Sequence, residues 1–317
     1  MSSSAHPLVP ADQDAFAALA EPHRRELQLH CYRMLASFDE AQDLVQETFL
    51  RAWRKRASFA GRSTFRAWLY GIATNACLDA IARRSRTVAV APDAEITWLE
   101  PYPDALLDAV PGPDETVIAK ETVELAYLVA IQHMTPQSRA VLILRDVVGL
   151  PARETADVLG ISVAAVNSAL QRARAVLAEQ LPAERSEWAP GTDAEAAEQA
   201  LLARYMEATE AVDIEALKQT LAEEVRFSMP PQEGRYEGRD TVVDLWVEGG
   251  FGTDAFAMRC LATRVNRQPA VACYVPRDGA WRPFAVDVLR IAGGEIAEIV
   301  TFPVEDPARY GLPEVLA

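Results

Sequence analysis

No proline lies between Pro22 and Pro92, and then Pro92, Pro101, Pro103, Pro111 and Pro113 follow in close succession. Proline removes a main-chain donor and its ring clashes with the preceding helical turn, so this cluster ends any helix. The proline-free stretch is rich in Ala, Leu and Arg and can be helical throughout, with a pause at Gly61. We expect helices over about 12–36, 40–57 and 63–84, the third capped by Ser63 or Thr64, whose hydroxyls can take an orphan N–H. Residues 87–115, dominated by proline and acids, read as a linker that is extended in places. The helical pattern resumes over 116–181, with breaks at Thr135-Pro136 and Gly149-Leu150-Pro151. From Ala194 it changes again. Two amphipathic helices, about 194–211 and 213–222, lead into strand-like runs at 225–229, 257–265, 270–275, 284–291 and 295–302. Gly293-Gly294 signals a hairpin between the last two. Helices followed by a mostly antiparallel sheet make residues 194–317 an α+β domain behind two all-α ones.

With 317 residues the chain exceeds one ordinary core and suits two or three domains. Its net charge of −15 argues at first against a nucleic-acid partner. The charge is unevenly placed, however: +3 over residues 1–90, −6 over 91–120, −1 over 121–182 and −11 over 183–317. Affinity for DNA scales with the phosphates neutralised, so the chain alone should bind DNA poorly, which a factor working inside a larger basic assembly tolerates. No apolar run approaches the ~18 residues that cross a bilayer. The N-terminus lacks a basic segment followed by an apolar one, so neither a membrane association nor a signal peptide is expected, and the expected location is the cytoplasm. Cys31, Cys77, Cys260 and Cys273 are far apart, with no CxxC or Cys/His cluster, so reduced thiols and no metal are expected.

The run from Asp39 to Trp53 carries the sharpest pattern. At helical spacing Ala41, Leu44, Val45, Thr48, Phe49, Ala52 and Trp53 form one apolar stripe, and Asp43, Glu47, Leu50 and Arg54 fall opposite. By itself this suits an ordinary solvated helix as well. Beyond it, Ser58 to Leu69 and Ile72 to Arg84 interleave arginines with aromatics, as single-stranded nucleic acid requires: arginines follow phosphates, and aromatics stack or shape a loop that can receive an extruded base. Phe65, Trp68, Leu69, Ile72 and Ala73 lie at helical spacing and are core candidates, whereas Arg62, Arg66, Arg83, Arg84 and Arg86 are harder to explain as packing. Residues 151–177 form a helix-turn-helix pattern. Pro151 suits a first turn, Ala156 and Leu159 face inward, Gly160 supplies a left-handed turn residue and Ser162 caps the second helix. Val163, Val166, Leu170, Ala173 and Leu177 are expected buried. Asn167, Ser168, Gln171, Arg172 and Arg174 are left outward to read base edges or hold phosphates.

Residues 12–86 resemble region 2, and residues 135–177 region 4, of the extracytoplasmic-function class of sigma-70 factors. The resemblance implies a multidomain chain: an all-α region 2 over 12–86, an acidic linker over 87–115, an all-α region 4 over 116–181 and a further domain over 194–317. It implies a non-enzymatic factor, without cofactor or metal, that binds core RNA polymerase and directs it to promoters. Asp39, Asp43, Gln46, Glu47 and Leu50 would meet the beta-prime coiled coil. Phe59, Arg62, Ser63, Arg66, Arg83, Arg84 and Arg86 would meet the minus-ten element and the DNA upstream of it. Asn75 and Asp79 also match family positions, although their spacing equally fits hydrogen bonds internal to the helix. Ser162, Ala164, Asn167, Ser168, Gln171, Arg172 and Arg174 would read the minus-thirty-five element while region 4 docks on the beta flap. In the family the acidic linker threads the RNA exit channel, and the Trp98–Asp104 run looks like one found in members with an extra C-terminal domain. An alternative reading of that aromatic run is packing onto a neighbouring domain.

The C-terminal pattern resembles the SnoaL-like, or nuclear transport factor 2-like, cone. Ketosteroid isomerases and polyketide cyclases share it, so it implies a cavity for a small ligand or an intramolecular regulatory contact. All four histidines lie outside it, leaving Asp240, Asp244 or Asp287 as candidate bases and Tyr236 or Tyr274 as donors. Two other readings stand beside the sigma factor. One is a ligand-responsive helix-turn-helix regulator, which leaves the Asp39–Trp53 helix unused. The other is a SnoaL-like enzyme fused to a DNA-binding region.

Overall fold

A computed structural model describes residues 9–10, 12–59, 61, 63–87, 96, 98–108, 122–181, 192–253 and 256–316. The chain divides into two compact units. Residues 1–94 and 110–183 form the first, and residues 95–109 and 184–317 the second.

In the first unit, α1 (Gln13–Ala20), α2 (Arg24–Leu35), α3 (Phe38–Lys55) and α4 (Phe65–Thr87) form one helical group. Each boundary has a local cause. Ala36 ends α2 in the left-handed conformation, at φ 57°. Ser37 then caps α3 by accepting from the N–H of Glu40 at 3.2 Å. Asp39 and Glu40 in the first turn of α3, and Arg54 and Lys55 in its last, oppose the helix dipole favourably. Of the two capping candidates for α4, Thr64 accepts from the N–H of Ala67 at 3.1 Å. Phe38, Ala41, Leu44, Val45, Thr48 and Ala52 of α3 are buried, while Phe49 and Trp53 sit half-buried at the edge of the stripe.

The short α5 (Asp104–Asp108) follows α4 in sequence but belongs to the second unit. The first unit resumes with α6 (Leu125–Gln132) and with α7 (Pro136–Leu142), which continues as a π-turn over Ile143–Val147. Next come α8 (Ala152–Leu159) and α9 (Val163–Gln180). This second helical group packs on the first. An α-carbon substituent at Gly71 of α4 would come within 3.3 Å of Val158 on α8, so the glycine permits that approach. At the centre, the buried Arg139 guanidinium donates to the carbonyls of Met34 (2.5 Å), Gln132 (2.8 Å) and Ile131 (2.9 Å). It also bonds the side-chain oxygen of Gln132 at 2.5 Å. Burial pulls its pKa down to about 9, with Arg84 adding to the effect, which still leaves it charged at neutral pH.

The second unit holds α10 (Thr192–Glu210), α11 (Ile214–Lys218), α12 (Arg239–Glu248) and one six-stranded sheet. Its strands are β1 (Leu221–Ser228), β2 (Arg235–Glu237), β3 (Arg259–Val265), β4 (Gln268–Arg277), β5 (Ala280–Ala292) and β6 (Glu295–Pro303). Their order is β2-β1-β6-β5-β4-β3, antiparallel except between β1 and β6. The fold class is as expected, with the hairpin at Gly293-Gly294. One expected helix is shorter, and two elements, α12 and the short β2, were not expected. The helix placed at 213–222 stops at Lys218 because the strand pairing of β1 begins at Leu221. The α12 helix went unrecognised because Thr241, Val242 and Val243 read as strand residues, whereas packing of Val242 and Val243 into the core holds them helical.

The residues described from the linker are ordered against this unit. Tyr102 is 1% exposed. Its N–H donates to the Asn266 side-chain oxygen at 2.7 Å, and its carbonyl accepts from the Asn266 N–H at 3.1 Å. Asp104 accepts from the N–H of Arg267 at 2.8 Å. Asn266 and Arg267 form the β3–β4 turn, both at positive φ. The aromatic run thus packs onto a domain, the alternative reading given above.

Candidate polymerase and nucleic-acid interfaces

The α3 helix separates two surfaces. Its buried side is apolar, and Asp39, Asp43, Gln46 and Leu50 are exposed on the other. Leu50, at 51% exposed, is a large apolar side chain set among acids and amides. Glu47 stands half-exposed and accepts from Arg51 at 2.8 Å, while Arg51 also bonds Asp79 at 3.0 Å. All five sequence candidates therefore lie on one helix and, Glu47 partly, on one open face.

Phe59, ahead of α4, is held by aromatics of that helix. The Phe59 ring lies 5.2 Å from Trp68 and 6.0 Å from Phe65, and Phe65 lies 5.6 Å from Trp68. Ser63 is half-exposed beside them. Arg62 lies outside the described residues, as does the side chain of Arg86 in the last turn of α4. The arginines here are less free than their sequence pattern implies. Arg66 donates to Glu26 at 2.7 Å and lies over the Tyr70 ring at 4.9 Å. Opposite charge and hydrogen bonds from His23 and Arg66 outweigh burial and lower the pKa of Glu26, so this pair is charged at neutral pH. Arg84 pairs with Glu40 at 2.5 Å, and Arg83 lies on the exposed side of α4. Asn75 bonds the Gly71 carbonyl at 2.8 Å, the internal role its spacing allowed.

The helix-turn-helix forms as the sequence reads. Gly160 adopts φ 64° and turns the chain, and Ser162 caps α9 by accepting from the N–H of Ala165 at 3.1 Å. Val166, Leu170 and Ala173 are buried and Leu177 half-buried. Val163 is a correction: expected inside, it is 43% exposed, because the first turn of α9 projects beyond the helices that cover Val166. Ser162, Ala164, Asn167, Ser168, Gln171, Arg172 and Arg174 are all exposed along one side. Arg174 is engaged with Asp146 through two bonds of 2.8 and 2.7 Å.

In the second unit the candidate acid–base groups do not converge. Asp240 is exposed and pairs with Lys218 at 2.7 Å, which lowers its pKa. The Tyr274 hydroxyl donates to the Pro313 carbonyl at 3.0 Å. Asp287 is buried among Tyr205 (3.0 Å), Thr301 (2.6 Å) and Cys273 (3.6 Å), all donating to it. Burial raises its pKa, and those donors act against the rise. A carboxyl so enclosed ties α10 to three strands. A surface depression of about 680 Å³ lies instead at the charged edge formed by Lys218, Asp240 and Glu223.

Sequence reasoning passed over Arg139, Asn266 and Arg267. Each had a signal. Arg139 falls in line with the apolar face that follows the Thr135 cap, and Asn266 is the residue best suited to a two-residue turn with positive φ.

Comparison with known proteins bears on the whole arrangement. Residues 19–87 match Sigma-70 region 2, residues 124–177 match Sigma-70, region 4, and residues 202–299 match the SnoaL-like domain. The chain is 40% identical to the ECF RNA polymerase sigma factor SigG of Mycobacterium tuberculosis, over 97% of this chain and 87% of that protein. It is 33% identical to the ECF RNA polymerase sigma factor SigW of Bacillus subtilis, over 54% of this chain and 90% of that one. Its fold matches the crystal structure of the M. tuberculosis extracytoplasmic function sigma factor SigJ with a TM-score of 0.61. That match has 22% identity and covers 93% of this chain and 98% of the other.

Proposed function

The chain belongs to the extracytoplasmic-function family of RNA polymerase sigma factors, and we propose on that footing how its surfaces divide the work of transcription initiation. The exposed face of α3, with Asp39, Asp43, Gln46, Glu47 and Leu50, receives the beta-prime coiled coil of core polymerase. The observation that carries this reading is the exposed Leu50 within an acidic face whose opposite side is packed on the core. Region 2 spans 12–86, and its Phe59–Ser63 segment with Arg83, Arg84 and Arg86 engages the minus-ten element and upstream DNA. Arg66 reaches DNA only by exchanging Glu26 for a phosphate. Region 4 spans 116–181; it docks on the beta flap and reads the minus-thirty-five element with the exposed side of α9. The protein works in the cytoplasm, where that polymerase is.

No covalent chemistry is assigned to the SnoaL-like domain of residues 194–317. Its role is to modulate initiation through the linker. The segment around Tyr102 and Asp104 connects region 2 to region 4, and it is seated on the Asn266–Arg267 turn. A linker held there is not free to take another path, so each bound state of the linker biases the competence of the factor. Run-off transcription with purified core enzyme and fragmented genomic DNA tests the main reading: discrete start sites that depend on this chain are expected, and none would refute it. Activity unchanged on loosening the linker with Asn266→Ala would refute the modulatory role.

A further inference from the structure

The strand β3 is the outer edge of the sheet, and Cys260 on it stands directly opposite Cys273 on β4. Facing residues of an antiparallel pair alternate between those that exchange main-chain hydrogen bonds and those that exchange none, and side chains of the second kind lie closer. Cys260 is of the second kind: its N–H points away from β4 and donates to Glu210 of α10 at 2.7 Å. The α-carbons of such a pair are about 4.5 Å apart, within the ~4.4–6.8 Å that a disulfide spans. Both side chains meet the same core. We propose that Cys260 and Cys273 are a peroxide-oxidisable dithiol that closes to a disulfide across the β3–β4 hairpin.

Their surroundings set the order of events. Cys260 is partly exposed and Cys273 buried, so peroxide reaches Cys260. Its thiolate sulfur attacks one peroxide oxygen, the O–O bond breaks, and the departing hydroxide takes up the thiol proton as water, leaving a sulfenic acid. The Cys273 sulfur then attacks the Cys260 sulfur, the S–O bond breaks, and the second oxygen leaves as water. The Cys273 proton passes through Asp287, whose carboxylate already accepts from that thiol at 3.6 Å, to the leaving hydroxide. Two thiols and one peroxide thus become one disulfide and two waters. Cys273 suits the second role only. The hydrogen bond with Cys260, burial and the Asp287 charge push its thiol well above the ordinary range. A transient disulfide of this kind is compatible with a reducing compartment. Cys31 and Cys77 differ: they lie on α2 and α4, both fully buried, with no exposed member to start the reaction.

The ring so closed contains Asn266 and Arg267, the turn that seats the linker. If the modulatory reading above holds, oxidation tightens that seat. The full chain is treated with hydrogen peroxide, alkylated in denaturant and digested with trypsin without reduction. The expected product joins the peptide 260–264 to the peptide 268–277, with Cys31 and Cys77 alkylated. In Cys260→Ser, Cys273 should stay alkylatable at the same peroxide dose. Full alkylation of both cysteines after exposure, or Cys260 stopping at sulfinic acid beside a free Cys273, would overturn the proposal. Amide exchange over 98–108, read on the oxidised protein, separates the consequence from the chemistry: slower exchange supports the tighter seat, and unchanged exchange removes it while the disulfide stands.

Discussion

The Arg139 guanidinium lies 2.5 Å from the main-chain oxygen of Met34, the last-but-one residue of α2, and so ties region 4 to region 2 within the first unit. Every acceptor around it belongs to the protein, and the side chain is 4% exposed. Replacing Arg139 with Leu strands the buried carbonyls of Met34 and Gln132, whereas that of Ile131 keeps the Met134 N–H at 3.2 Å. The expected loss is about 3 kcal/mol in urea denaturation. Lysine restores the charge but not the planar fork, so Arg139→Lys should recover only part of it.

His30 links stability to pH. Its Nε2 meets the Thr74 hydroxyl at 2.9 Å, its ring is fully buried, and burial, then Arg33, pull its pKa down to about 3. Between that value and the ordinary 6.5 the unfolded chain binds the extra proton, so stability is complete above pH 6.5 and falls as pH drops through this window. From pH 7.5 to pH 5 the loss should be about 2 kcal/mol. Denaturation midpoints across that range check it, and His30→Gln should flatten the slope.

Along α9, reading a base edge and holding a phosphate are separable. Arg172 is exposed, and Arg172→Ala should cost ~1–3 kcal/mol at one base step of the promoter, measured by competition between site variants. Equal weakening on every sequence would mark a phosphate contact instead. Arg174→Ala should cost less, because that side chain already bonds Asp146.

The linker seat is testable without touching either DNA-binding region. Asn266→Ala leaves the buried N–H of Tyr102 without its acceptor and places alanine at φ 55°. A local loss of about 1–3 kcal/mol is expected. It should appear as faster amide exchange over 98–108 with β5 and β6 unaffected.

Much of this architecture was legible because it is local. Pattern alone located α3, the Gly160 turn, the Ser162 cap and the Gly293-Gly294 hairpin, since each depends on residues within a few positions. What escaped depends on distant partners. The parallel pairing of β1 with β6, the seat of Tyr102 on Asn266 and the placement of Arg139 under Met34 join segments far apart in sequence. Val163 deceived because helical spacing gives the direction of a side chain but not where the covering helices end. The arginines near α4 looked free because Glu26 and Glu40, their partners, lie some forty residues away.

Docking through α3 is measured by equilibrium binding of the full chain to core RNA polymerase in low salt. Asp43→Lys with Glu47→Lys should change stability by about 1 kcal/mol or less, since Asp43 is exposed and half-exposed Glu47 makes only a surface pair with Arg51, and weaken core binding by about tenfold or more. Tight binding by the parent with that loss, at an unchanged circular dichroism spectrum, is the predicted result. A parent chain that does not bind core polymerase, or a double variant that binds as tightly as the parent, would rule out α3 as the docking face.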